Sequence, residues 1–268
     1  MKLFWKKWIK LNNLNLKNIV EALLDTFLEA GKIAKETSRR GVKITIKADK
    51  TPVTDGDLAV DKLLSEKISN LTPKIPIISE ETVDLGVKNK NETFWLIDPI
   101  DGTRDYIKKR DEYTLNAALI VNLKPAAGIV YAPEKDRLFF SYGKGFAFET
   151  SKDGKTVLNC KKINSSEIIG LTNSDETPHE VLEIYKKYNV SQTIKMSSSL
   201  KFCVLAAGEA DIYAAKARAF EWDIAAGHAV LEHAGGIITT HDDKKFLYGK
   251  KNYKNLPIIA KGSLNLKK

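Results

Sequence analysis

Apolar residues recur at helical spacing early in the chain, at Leu16, Ile19/Val20, Leu23/Leu24, Phe27 and Ile33/Ala34. That period predicts one long amphipathic helix ending before Arg39-Arg40-Gly41. A short strand over residues 43–47 follows, then a turn-rich connection over 48–55, then a second helix burying Val60, Leu63/Leu64 and Ile68. From Ile75 the period shortens to two. Short β-type runs are expected at 76–79, 94–97, 114–121, 128–131, 137–140 and 146–148, with Gly, Pro and Asn between them, as in a sheet built from hairpins. The last third alternates instead: helices at 177–188, 200–207 and 224–233, and strands at 211–214, 236–240 and 257–260.

The pattern predicts an α/β protein of layered α+β type, helices covering sheets in a sandwich. Two halves, residues 1–150 and 151–268, meet at a polar stretch near 151–154 and are treated as one compact unit. With 268 residues, 43% of them hydrophobic, the chain is long enough to bury a full core.

Lys and Arg outnumber Asp and Glu by 43 to 34, a field that draws in anions, although most lysines fall in solvated stretches. Cys160 and Cys203 have no metal-ligand or CxxC spacing, and the expected compartment is a reducing cytoplasm. No RNP, zinc-finger or helix-turn-helix signature accompanies the charge, so no nucleic-acid partner is expected. The first residues place Phe4, Trp8 and Leu11 at helical spacing between Lys6, Lys7 and Lys10. Two readings of that basic arm stand open: peripheral contact with the cytoplasmic face of the inner membrane, or a helix folded onto the domain. Monomer and homodimer are equally compatible with the sequence.

Chemistry concentrates in Phe94-Trp-Leu-Ile-Asp98-Pro-Ile-Asp101-Gly-Thr103, an apolar strand that ends in two carboxylates, a proline and a glycine. Pro99 and Gly102 are expected to turn the chain so that Asp98 and Asp101 converge, with the Ile100 carbonyl between them. Alone, this reads equally as turn chemistry or as oxygen ligands for a hard cation such as Mg2+. Two further acidic element ends, Glu80-Glu81 after a strand and Asp223 at a helix start, shift the balance to metal. Asp223 and Asp57 each have a plainer reading as helix N-caps. No nucleophile elbow or Cys/His arrangement is present, and His179, His228, His233 and His241 form no ligand-spaced pair.

These segments resemble the inositol monophosphatase superfamily, most closely its 3′(2′),5′-bisphosphate nucleotidases of the CysQ type. The likeness runs through Ala48-Asp-Lys-Thr-Pro-Val-Thr, Ile78-Ser-Glu-Glu, Trp95-Leu-Ile-Asp-Pro-Ile-Asp-Gly-Thr, Lys195-Met-Ser-Ser-Ser-Leu-Lys-Phe-Cys and Glu221-Trp-Asp-Ile-Ala-Ala-Gly-His-Ala-Val-Leu-Glu. It implies an α-β-α-β-α sandwich and hydrolysis of a small phosphorylated metabolite, an adenosine bisphosphate foremost, by a water activated between two or three Mg2+ ions. It further implies that Glu80, Asp98 and the Ile100 carbonyl hold one metal, that Asp98, Asp101 and Asp223 hold a second, and that a third binds near Glu80. Asp57 with Thr103 would orient and deprotonate the water, the backbone from Ile100 through Gly102 to Thr103 would receive the phosphate, and Asp223 would touch the sugar. Ser198 and Lys201 match a Ser-x-x-Lys that approaches a second phosphate. Two stretches depart from the family. Tyr213-Ala-Ala-Lys-Ala-Arg-Ala replaces Tyr-Pro-Arg with its following Gly-Pro-Thr, and Thr172-Asn-Ser-Asp175 stands for Ser-Arg-Ser-His. The lost arginine charge could be restored by Lys216 or Arg218; the alternatives in substrate are a sugar or inositol monophosphate, and in class a silent phosphometabolite-binding module.

Overall fold

A computed structural model describes residues 2–47, 50–87, 89–160, 167–174, 176–263 and 266, with side chains from residue 16 onward. Helix α1 (Lys2–Arg40) runs through Arg40 as one element and stacks Val20, Leu23, Phe27, Ala30 and Ala34, all fully buried, along one stripe. Strands β1 (Ile44–Ile46) and β2 (Pro52–Thr54) pair antiparallel, so the stretch expected to be only a connection supplies a strand and then the cap of helix α2 (Asp55–Leu71). Strand β3 (Ile77–Ser79) lies parallel to β4 (Phe94–Asp101), and short α3 (Thr103–Ile107) follows directly.

An antiparallel meander continues with β5 (Thr114–Val121), β6 (Lys124–Ala132), β7 (Arg137–Ser141), β8 (Ala147–Ser151) and β9 (Gly154–Val157), completing a seven-stranded sheet in the order β3-β4-β5-β6-β7-β8-β9. The chain then builds β10 (Ile168–Thr172), α4 (His179–Lys187), β11 (Val190–Lys195), α5 (Leu200–Ala206), β12 (Ile212–Ala215), α6 (Trp222–His233), β13 (Ile237–Thr240) and β14 (Ile258–Lys261). These strands form a five-stranded mixed sheet ordered β11-β10-β12-β14-β13. Periodicity missed β9, β10 and β11; the exposed faces of β9 and β11 carry no apolar alternation to find.

Three clusters of buried side chains define the layers. Val20, Phe27, Leu64 and Ile68 of α1 and α2 pack on Trp95, Ile97, Leu115 and Ile129 of the large sheet. The opposite face, with Leu96, Ala118 and Val130, meets Phe202 of α5 and Ala226 and Val230 of α6, which also touch Tyr213 and Ala260 of the small sheet. Val181 and Tyr185 of α4 cover the far side, against Ile168, Ile212 and Ile259. The order is therefore α-β-α-β-α, as the resemblance implied. Helix α6 is buried nearly all round, as a helix held between two sheets must be. It approaches β6 so closely that a Cβ at Gly128 would stand 2.5 Å from the Ala226 carbonyl oxygen.

No described helix is long and apolar enough to cross a membrane. The basic arm over residues 1–10 lies outside the described side chains, and Ala48, Asp49 and Asp175 lie outside the described residues.

Candidate active site

Strand β4 does not stop at Asp98. It passes through Pro99 to Asp101, with a bulge between Asp98 and Asp101 opposite Asn116 and Thr114 of β5. A bulge is where a sheet tolerates proline, which has no N–H for the ladder. The strand thus carries both carboxylates itself, in place of the turn the sequence suggests. The turn comes one residue later, at Gly102, whose φ of 93° belongs to the left-handed region that glycine enters without strain.

Glu80 follows β3, and its N–H donates to the Ile97 carbonyl at 3.1 Å, which pins it beside Asp98. Asp223 comes from the far end of the chain, in the first turn of α6. It is not the cap: Glu221 occupies that position, and the Asp223 carboxylate accepts from the Phe220 N–H at 2.9 Å. Glu221 is fully buried, accepting from the Gly249 and Lys250 N–H groups at 2.9 Å and from the Lys250 ammonium at 3.2 Å. The helix start that presents Asp223 is thereby anchored by a satisfied buried ion pair.

One carboxylate oxygen each from Glu80, Asp98 and Asp223 lies within 4.8 Å of the others. Asp101 lines the same cavity but stands outside this triple, within the field of the Lys201 and Arg218 charges. Burial first, and then the mutual repulsion of these groups, raises Asp98 and Asp223 well above the ordinary carboxylate range. Burial lifts Asp101 to about 6, Lys201 opposing.

Thr103, the first residue of α3, places its hydroxyl 3.3 Å from Asp57 and 3.1 Å from the Ile100 carbonyl. Asp57 is the third residue of a capping box and not the cap. Thr54 caps α2, and its N–H donates back to Asp57 at 2.8 Å. Burial raises the Asp57 carboxyl. Lys201 is 5% exposed, unlike most lysines of this chain, and burial lowers its ammonium to about 8. It donates to the Ser198 carbonyl and sits 5.2 Å over the Tyr213 ring. Ser198 itself is buried at φ 55°, a conformation a non-glycine residue holds only when its surroundings impose it.

Sequence reasoning missed Lys47, whose ammonium lies 3.3 Å from Glu80 and 2.8 Å from Glu81, and Ser197, tied to Asp105 at 2.6 Å and Glu112 at 2.8 Å. Both depend on contacts distant in sequence. Glu81 stood in the quoted motif, yet only the fold shows it buried and pushed up to about 7.

The cavity measures about 370 Å³, and its lining combines the carboxylates of Glu80, Asp98, Asp101 and Asp223 with the cations Arg104, Lys201, Lys216 and Arg218. The acidic cluster fits a hard divalent cation: the donors are all oxygen, they repel one another, and Asp98 Oδ1 is buried without any partner.

Residues 15–262 match the inositol monophosphatase family. Among curated proteins, the 3′(2′),5′-bisphosphate nucleotidase CysQ of Buchnera aphidicola is 35% identical over 235 residues, covering 84% of this chain and 87% of that protein. The CysQ of Escherichia coli K12 is 34% identical over 200 residues, 74% and 79% of the two chains. Among solved structures, CysQ from Bacteroides thetaiotaomicron aligns with a TM-score of 0.73 at 27% identity over 90% of this chain and 96% of its own. A staphylococcal inositol monophosphatase solved with its products, at TM-score 0.75 and 18% identity over 92% and 91%, shares the fold. Fold, acidic cluster and alignment agree that the chain belongs to the inositol monophosphatase family.

Proposed function

We propose that the chain is a Mg2+-dependent phosphomonoesterase that removes the 3′-phosphate of 3′-phosphoadenosine 5′-phosphate, or of its sulfated form. The observation that carries this reading is the convergence of Glu80, Asp98 and Asp223 from three separate elements in a cavity that is also lined by cations. Glu80, Asp98, the Ile100 carbonyl, Asp101 and Asp223 would hold two or three Mg2+ ions, which supply an acidified water and charge neutralisation at the phosphate.

The chain's own residues do the rest. The Thr103 hydroxyl bridges the Ile100 carbonyl and Asp57, so it orients the attacking water and relays a proton toward the buried carboxylate behind it. Asp57, raised by burial, is a better proton acceptor than a solvated aspartate. The backbone from Ile100 to Thr103, bent at Gly102, receives the phosphate. Ser198 and Lys201 line the same cavity and would meet a second phosphate, and Asp223 would touch the sugar.

Ala215 at the position of the family's arginine favours a second reading, an inositol or sugar monophosphatase. Phosphate release from 3′-phosphoadenosine 5′-phosphate, its sulfated form, inositol 1-phosphate and fructose 1,6-bisphosphate, with and without Mg2+, separates the two. Preference for the nucleotide and no release in chelator are expected; preference for inositol or fructose phosphate overturns the substrate. Asp98→Asn is expected to lower kcat by more than about 100-fold, beyond what loss of an outer-shell contact causes. Near-normal activity of that variant in saturating Mg2+ would overturn the chemistry.

A further inference from the structure

Four cations line the cavity, Arg104, Lys201, Lys216 and Arg218, and they differ in construction. Lys201 is buried and fixed by the Ser198 carbonyl and the Tyr213 ring. Arg218 is exposed, lines the same cavity, and has neither a hydrogen bond nor an ion pair among the described residues. Its backbone position is nonetheless held: just beyond it, Ala219 and Phe220 offer their carbonyls to the Asn255 N–H at 3.0 Å and the Asn255 amide at 2.6 Å. Lys216 shares the rim, but its ammonium is engaged by Glu180 at 2.5 Å. Lys201 and Arg218 repel each other across the space they share, adding to the effect of burial on Lys201. Asp101 is the anion that balances them here, and it is also the carboxylate the proposed metal site would engage.

Two neighbouring cations in one cavity, one of them a planar guanidinium able to grip two oxygens at once, suit a dianionic phosphate. We infer that Arg218, together with Lys201, seats the second phosphate of the substrate and selects bisphosphates over monophosphates, taking the role that Ala215 cannot. The inference rests on the phosphomonoesterase reading for the place of the scissile phosphate.

The test uses the full chain and its Arg218→Ala, Arg218→Lys and Lys216→Ala variants. KM is measured for 3′-phosphoadenosine 5′-phosphate and for adenosine 3′-phosphate, which lacks the second phosphate, and calorimetry follows adenosine 5′-phosphate, which has only that one. Arg218→Ala is expected to raise KM for the bisphosphate and weaken adenosine 5′-phosphate binding by about 10- to 100-fold, the scale of charged hydrogen bonds. KM for adenosine 3′-phosphate should stay within about twofold, Arg218→Lys should recover part of the loss, and Lys216→Ala should change little. Unchanged binding in Arg218→Ala, an equal loss for both nucleotides, or an equal loss in Lys216→Ala overturns the inference. Should the wild type fail to release phosphate from the bisphosphate, the nucleotidase reading falls, and the adenosine 5′-phosphate titration still decides the role of Arg218.

Discussion

Removal of divalent metal should destabilise the protein increasingly as pH rises from about 4 to about 6. Asp101 is lifted to about 6 by burial, whereas in an unfolded chain it titrates near 3.8. Between those values the native chain holds a proton that the unfolded chain has released, so the stability present below about 4 is lost as pH approaches 6. A difference of about 2 pKa units is about 3 kcal/mol, or about 6–12 °C in Tm for a chain of this size. Asp98 and Asp223 are displaced in the same direction and add to the loss. His233 works against it: burial lowers it to about 4, so it stays neutral while its unfolded counterpart is charged, and its contribution grows as pH rises toward 6.5. That opposing effect lies away from the acidic cluster and is common to both metal conditions, so the informative quantity is the difference between them. Thermal unfolding in 10 mM Mg2+ and in EDTA, followed by circular dichroism from pH 4.5 to 7.5, is expected to show a gap of a few degrees or less at the acid end, widening by about 6–12 °C and levelling near neutrality. A gap independent of pH, or one that narrows as pH rises, would refute the assignment of these carboxylates to a shared cation site.

Thr103→Val keeps the shape and removes the hydroxyl beside Asp57; kcat is expected to fall about 100-fold or more with KM little changed, measured by steady-state phosphate release. Gly128→Ala would force a Cβ to within 2.5 Å of the Ala226 carbonyl and 2.8 Å of the Ala229 Cβ, and should cost about 1–3 kcal/mol in urea unfolding while weakening Mg2+ binding, because α6 carries Asp223. Glu221→Ala leaves two backbone N–H groups without their acceptor and the buried Lys250 ammonium without its carboxylate, and a loss of about 3–5 kcal/mol is expected in the same assay.

Much of this was readable before any coordinates. The stripe on α1 and the meander from Thr114 onward follow from spacing, because each buries a continuous apolar face that local periodicity reports. The acidic residues were legible for a different reason: carboxylates beside Pro and Gly at the ends of apolar runs are costly unless something recovers the charge. Strands β9 and β11 were not legible, since their side chains are exposed and only their backbone pairing makes them strands. Nor was the course of β4 through Pro99, because the bulge that accommodates a proline is a property of its pairing with β5.

The sequence by itself determined which residues could be ligands, the layered α/β class and the family, all of which depend on residue type and short-range order. Tertiary structure decided which of those residues meet. Asp223 reaches Glu80 and Asp98 only because α6 is wedged against β6 at Gly128 and its start is anchored through Glu221 to Lys250. Asp101, next to the turn at Gly102 that leads into Thr103, stays outside the triple and within the field of the Lys201 charge. Lys216 and Arg218 are indistinguishable along the chain, and only the fold sets Glu180 of α4 against the Lys216 ammonium while no carboxylate among the described residues pairs with the Arg218 guanidinium. Such outcomes rest on the register and packing of elements far apart in the chain, which spacing along a sequence does not encode.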